Sequence, residues 1–126
     1  MKMAETMKVV VVRPGKRAKI MEIEYTLTKM QKLVGGLIEP VYSFDDGAMI
    51  IGNEESKLIN PVPNRAIYND AGAIRDIVFG TFFICYAPPG SEDFMSLPDE
   101  LAEKYLKKYA EPEAFIRTER GIVVIR

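Results

Sequence analysis

Residues 8–36, KVVVVRPGKRAKIMEIEYTLTKMQKLVGG, change their hydrophobic period once, and the position of that change decides the fold. Lys8 to Val12 is a β-branched run, stopped by the turn dipeptide Pro14-Gly15. Arg17 to Glu24 then alternates, with Ala18, Ile20 and Glu22 on one side and Lys19, Met21 and Ile23 on the other. Two strands around a short Pro-Gly loop predict a β-hairpin. From Thr26 the repeat lengthens: Leu27, Met30, Leu33 or Val34, and Leu37 recur at helical spacing, with Thr26 as N-cap. Gly35-Gly36 supplies the stop, because glycine enters the left-handed region without steric cost. That order also argues against a phosphate loop, whose glycines precede a helix rather than follow one.

Working outward, Ile38 to Phe44 resumes a strand, and Pro40 pushes it towards a sheet edge. Asp45-Asp46-Gly47 is a tight turn and Ala48 to Gly52 the returning strand. Asn53 to Gly72 carries Pro61 and Pro63 and has no strong period, so a long loop is expected there. Ile74 to Tyr86 is the most apolar segment and reads as the central strand, broken by Ala87-Pro88-Pro89-Gly90. Ser96-Leu97-Pro98-Asp99 has the spacing of a capping box. Leu97, Leu101, Tyr105 and Tyr109 follow as one helical face, ended by Pro112. Phe115-Ile116 and Ile122 to Ile125 close the chain as two short strands. The order β-β-α-β-β-loop-β-α-β-β predicts an α+β fold with a mainly antiparallel sheet and two helices.

At 126 residues the chain has the size of one domain, expected over 8–126 behind a short frayed leader at 1–7. The leader lacks the apolar core of a secretion signal, and Val9 to Val12 is far too short to span a membrane. A cytoplasmic location without membrane contact is expected. Seventeen cations against eighteen acids give a net charge of −1, so no global field draws in a polyanion, and a nucleic acid partner is not expected. Histidine is absent, which removes Ser–His and Cys–His nucleophiles and the histidine-bearing zinc motifs. The single cysteine, Cys85, excludes an internal disulfide and reads as apolar packing. The acidic pairs Asp45-Asp46, Glu54-Glu55 and Glu92-Asp93 lack the spacing of a calcium loop and read as solvated faces.

Asn64-Arg65 stands out. Arginine offers a planar fork suited to phosphate, asparagine can read an amide-like edge, and Tyr68 follows as a stacking face. The competing reading has Arg65 capping a short helix or pairing with an acid such as Asp76. Gly80-Thr81-Phe82-Phe83 puts two aromatics on opposite faces beside a glycine, which marks a bulge or a close approach, so Phe82 is either core or pocket. Lys8, Arg13, Lys16, Arg17 and Lys19 load the first hairpin with positive charge, either as a binding surface or as the solvated guard of a sheet edge.

Val9–Val12, Arg13-Pro14-Gly15-Lys16, Leu33-Val34-Gly35-Gly36 before Ile38-Glu39, Asn53-Glu54-Glu55-x-Lys57-Leu58, Pro63-Asn64-Arg65-Ala66 and Asp76-Ile77-x-x-Gly80-Thr81-Phe82 together resemble a family of small domains of unknown function. That family is widespread in phages, mobile elements and Gram-positive bacteria; the resemblance covers roughly residues 8–110 and carries no catalytic residue with it. In size and composition the chain is also similar to phage anti-defence proteins of the Thoeris "sponge" type, small oligomers that sequester nucleotide signals. The resemblance implies a non-enzymatic protein that sequesters a cyclic or ADP-ribose-derived nucleotide. The alternative is a protein-interaction or antirestriction accessory protein. The expected ligand set is Asn64, Arg65, Tyr68, Arg75, Phe82, Arg117 and Arg120, in a homo-oligomer, with no catalytic residue, metal or cofactor.

Overall fold

The computed structural model describes residues 5–53, 55–59 and 62–125. Strands β1 (Thr6–Val12) and β2 (Lys19–Glu24) form the expected hairpin, with Val10 opposite Ile20. Helix α1 (Leu27–Val34) begins where the period changes: the Thr26 side chain accepts from the Lys29 amide at 3.1 Å. It ends at Gly35, whose φ of 80° lets its N–H reach back to the Gln31 carbonyl. Strands β3 (Glu39–Ser43) and β4 (Ala48–Gly52) flank the acidic turn. The short helix α2 (Ser56–Ile59), β5 (Pro63–Tyr68), β6 (Ile74–Phe79) and β7 (Phe82–Tyr86) follow, then α3 (Asp99–Lys108), β8 (Ala114–Thr118) and β9 (Gly121–Ile125).

The main sheet has five strands in the order β2-β1-β7-β4-β3, and every pairing in it is antiparallel. Both of its faces are covered, which explains the valine run: Val9 to Val12 are all buried, two to each side. Val10, Val12, Ile50, Phe82 and Ile84 pack under α3 and the β5–β6 ribbon, through Tyr105, Tyr109, Ile67 and Val78. Met7, Val9, Val11, Ile51, Phe83 and Cys85 pack under α1, through Met30 and Val34. Phe82 and Phe83 therefore serve opposite cores, as alternation requires. Burial pushes the Cys85 thiol up to about 12, so it stays protonated at neutral pH. Pro40 lies on the edge strand β3, where its missing N–H costs no ladder bond.

Four expectations change. β1 starts at Thr6 and buries Met7, so these two residues are not leader, while residues 1–4 lie outside those described. The apolar segment 74–86 is two strands in different sheets, because Gly80 at φ 73° turns the chain between them. A Cβ at Gly80 would meet Ser56 Oγ at 2.7 Å, so both conformation and space demand glycine. The expected loop 53–72 holds α2 and β5; Pro63 is tolerated as the first residue of its strand. The Ser96 hydroxyl does not cap α3 but accepts from the Lys8 amide at 2.9 Å, and Pro98 is the N-cap without a side-chain bond. Among the described residues no helix is long and apolar enough to cross a membrane.

Candidate functional site

The Arg13–Lys16 connection is a tight turn closed by Lys16 N–H to Arg13 C=O at 3.1 Å, with Pro14 at the second position and Gly15 at φ 70° in the third. This is the type II arrangement, which prefers proline and then glycine. It sends the chain back into β2 with a cation at each end of the turn.

Asn64 and Arg65 hold this turn from below. The register of β5 slips between Pro63 and Arg65, and this bulge aims two successive polar side chains inward. Asn64 Nδ2 donates to the carbonyls of Val12 (2.9 Å) and Gly80 (2.8 Å). Arg65 is 1% exposed. Its Nη1 donates to Asn64 Oδ1 (2.8 Å) and Asn64 O (3.1 Å), and its Nη2 to the carbonyls of Lys16 (2.6 Å) and Tyr109 (3.0 Å). Burial holds the guanidinium pKa below its ordinary value, only partly offset by the nearby Glu113, Tyr109 and Glu111; an arginine stays charged regardless. Asp76, the expected brace, instead accepts from the Ile77 amide and faces Lys57 at 3.9 Å.

The expected ligand residues therefore do not meet in one place. Asn64, Arg65 and Phe82 are interior, the last with its ring edge-on to Tyr109 at 5.7 Å. Tyr68 donates to Glu113 Oε2 at 2.6 Å. Arg75 lies over the Tyr42 ring, 5.7 Å from its centroid. Arg117 and Arg120 sit on the exposed β8–β9 hairpin. What Asn64 and Arg65 fasten is the wall of an open cleft of about 560 Å³. Arg13, Pro14 and Lys16 form one side, and Lys32, Leu33, Val34 and Gly35 at the end of α1 form another. Asn53, Ser56, Gly80 and Thr81 complete it, with Ile59 and Val62 at the rim.

The chemistry of the lining is one-sided. Arg13, Lys16 and Lys32 are its charged members, and among the described residues no acid joins the lining and none pairs with these three. Lys32 also offsets the partial negative charge at the C-terminus of α1. Ile59 and Val62 are 73% and 41% exposed, an apolar contact surface beside the cations. An anion with an apolar face matches this combination. Sequence inspection did not assemble the cleft because its parts come from four separated stretches. Each of the four nonetheless overlaps a segment that carried the family resemblance, although Lys32, Ile59 and Val62 themselves lie outside those segments.

Fold and cleft together define a small single-domain α+β protein with a cationic cleft beside an antiparallel five-stranded sheet. The chain belongs to the family described as Domain of unknown function (DUF3846), whose model matches residues 7–110. No curated protein matches the chain, and no solved structure does.

Proposed function

We propose that the protein binds a phosphate-bearing nucleotide in the Arg13–Lys16–Lys32 cleft and does not transform it. The observation that carries this reading is the set of three cations, free of acid partners among the described residues, around a cleft large enough for a small ligand. Phosphate oxygens accept from Arg13, Lys16 and Lys32, and Ile59 and Val62 offer a surface for the base. The lack of histidine supports binding over acid–base chemistry. In its finer form the reading is a phage-type counter-defence sponge for a cyclic or ADP-ribose-derived nucleotide, supported by the resemblance drawn from size and composition. In a thermal-shift screen of nucleotides, a ligand of the native state raises the melting temperature. Arg13→Glu with Lys32→Glu is expected to remove that rise, while the unliganded melting temperature falls only slightly, through the lost dipole contact of Lys32. A rise that survives both reversals, or no nucleotide binding at all, overturns the reading.

The homo-oligomer expected from the sequence is supported by the C-terminal hairpin. β8 and β9 pair only with each other among the described strands, and Ile116, Val123 and Ile125 expose 49%, 44% and 50% of their surface on one face of it. A lone two-stranded ribbon is marginal in water without cover. Both strands have an open hydrogen-bonding edge, so the cover we assign is the same hairpin of a second copy. Sedimentation at micromolar concentration is expected to give an oligomer that Ile116→Asp converts to monomer; a monomeric wild type overturns this assignment.

A further inference from the structure

We infer that the ligand carries two or more separated phosphates, as a linear or cyclic oligonucleotide does, and straddles the Pro14-Gly15 turn. The inference rests on the cleft reading above and adds a second observation. Next to the same turn lies another concavity, of about 660 Å³, lined by Arg13, Lys16, Arg17, Lys19 and Met21. Arg13 and Lys16 line both hollows. The two hollows thus share the cations of the turn, with Lys32 lining the first alone and Arg17 and Lys19 the second alone. Of these five, Arg17 alone has an acid partner among the described residues, the exposed Glu111.

Guarding a sheet edge explains only part of this distribution. β2 is an edge strand and Lys19 lies on it, so that one cation fits the role. Arg13 and Lys16 belong to the turn and Lys32 to α1, not to the edge strand itself. A mononucleotide, or the adjacent phosphates of a diphosphate, engages one hollow and leaves the other unused. Phosphates separated by a sugar reach both. The buried Asn64–Arg65 brace holds both ends of the turn, since Asn64 donates to the Val12 carbonyl before it and Arg65 to the Lys16 carbonyl that closes it.

Isothermal titration calorimetry with AMP, ADP-ribose, cyclic di-AMP and a fifteen-residue oligothymidylate tests the inference. At least one of the last two is expected to bind ten-fold or more tightly than AMP and ADP-ribose. Lys19→Glu is expected to weaken that ligand at least five-fold while leaving AMP within two-fold. Affinity that is complete in the cyclic dinucleotide identifies a small signal. Affinity gained only by the long strand, falling with salt at a slope of about −0.7 for each phosphate neutralised, identifies a nucleic acid; either outcome supports a straddling ligand. Equal affinity for all four probes, or a silent Lys19→Glu on a folded protein, overturns the inference. If Arg13→Glu with Lys32→Glu still abolishes binding in that case, the one-cleft reading stands. If none of the four probes binds, both readings fall.

Discussion

Arg65 is the residue on which the molecule turns from sequence to structure. Its chemistry suits a phosphate, yet all four of its hydrogen bonds are spent inside the protein, three of them on backbone carbonyls. A sequence records side-chain types, so an arginine seeking an acid is visible there and an arginine seeking carbonyls is not. The bulge at Asn64 that turns both side chains inward is equally hidden. Arg65→Ala leaves buried acceptors from Asn64, Lys16 and Tyr109 without donors. A loss of about 3 kcal/mol in urea unfolding is expected, the scale of a removed charge-assisted bond plus stranded partners. Arg65→Lys is expected to restore only part of it, since an ammonium cannot reproduce the planar fork that spans these acceptors. A loss below about 1 kcal/mol, the worth of one ordinary hydrogen bond, contradicts the brace.

At the scale of elements, local chemistry was legible where one stretch forms its own structure. Pro14-Gly15, Thr26, Gly35 and Asp45-Asp46-Gly47 placed the first hairpin, α1 and the β3–β4 turn close to where they lie. Elements whose character depends on distant neighbours were not: β6 and β7 read as one strand, because only the sheet assignment separates them at Gly80. The link between the β3–β4 turn and α3 is of this second kind. Asp46 accepts from the Ala48 amide (3.0 Å), Lys104 Nζ (2.6 Å) and Tyr105 OH (2.7 Å). Burial pushes its pKa up, but the bonds from Lys104, Tyr105 and Ala48 outweigh this and hold it below the ordinary 3.8. A carboxyl depressed in the folded state stabilises above its unfolded pKa, and that contribution is lost as the pH falls through the folded value. Asp46→Asn is therefore expected to melt lower than wild type at neutral pH, with the gap closing on acidification below about pH 4. Melting curves across that range check it, and a gap that does not change with pH refutes it.

For the molecule as a whole, the cationic cleft emerges only when the chain closes on itself, since Arg13, Lys32, Asn53 and Gly80 meet through sheet pairing rather than proximity in sequence. The same closure extends past the end of the family match at residue 110. Glu113 reaches back to β5, where Oε1 accepts from the buried Ala66 amide at 2.8 Å and Oε2 from Tyr68 OH at 2.6 Å. That amide lies next to Arg65, so Glu113 helps position the strand that supports the Arg13–Lys16 turn. The hairpin beyond it is exposed and makes its ladder within itself. Two truncations should then behave differently. A chain ending at Glu113 keeps the two bonds and is expected to melt within a few degrees of the full protein. One ending at Ala110 strands the Ala66 amide and is expected to lose about 1–3 kcal/mol, the cost of a buried unsatisfied group. Glu113→Gln in the full chain separates charge from geometry: its amide oxygen still accepts from Ala66, so it is expected to retain most of the stability that Glu113→Ala loses. If both truncations melt alike, or Glu113→Ala is silent, the contact between residue 113 and β5 does not hold the fold, and the domain is complete within the family match.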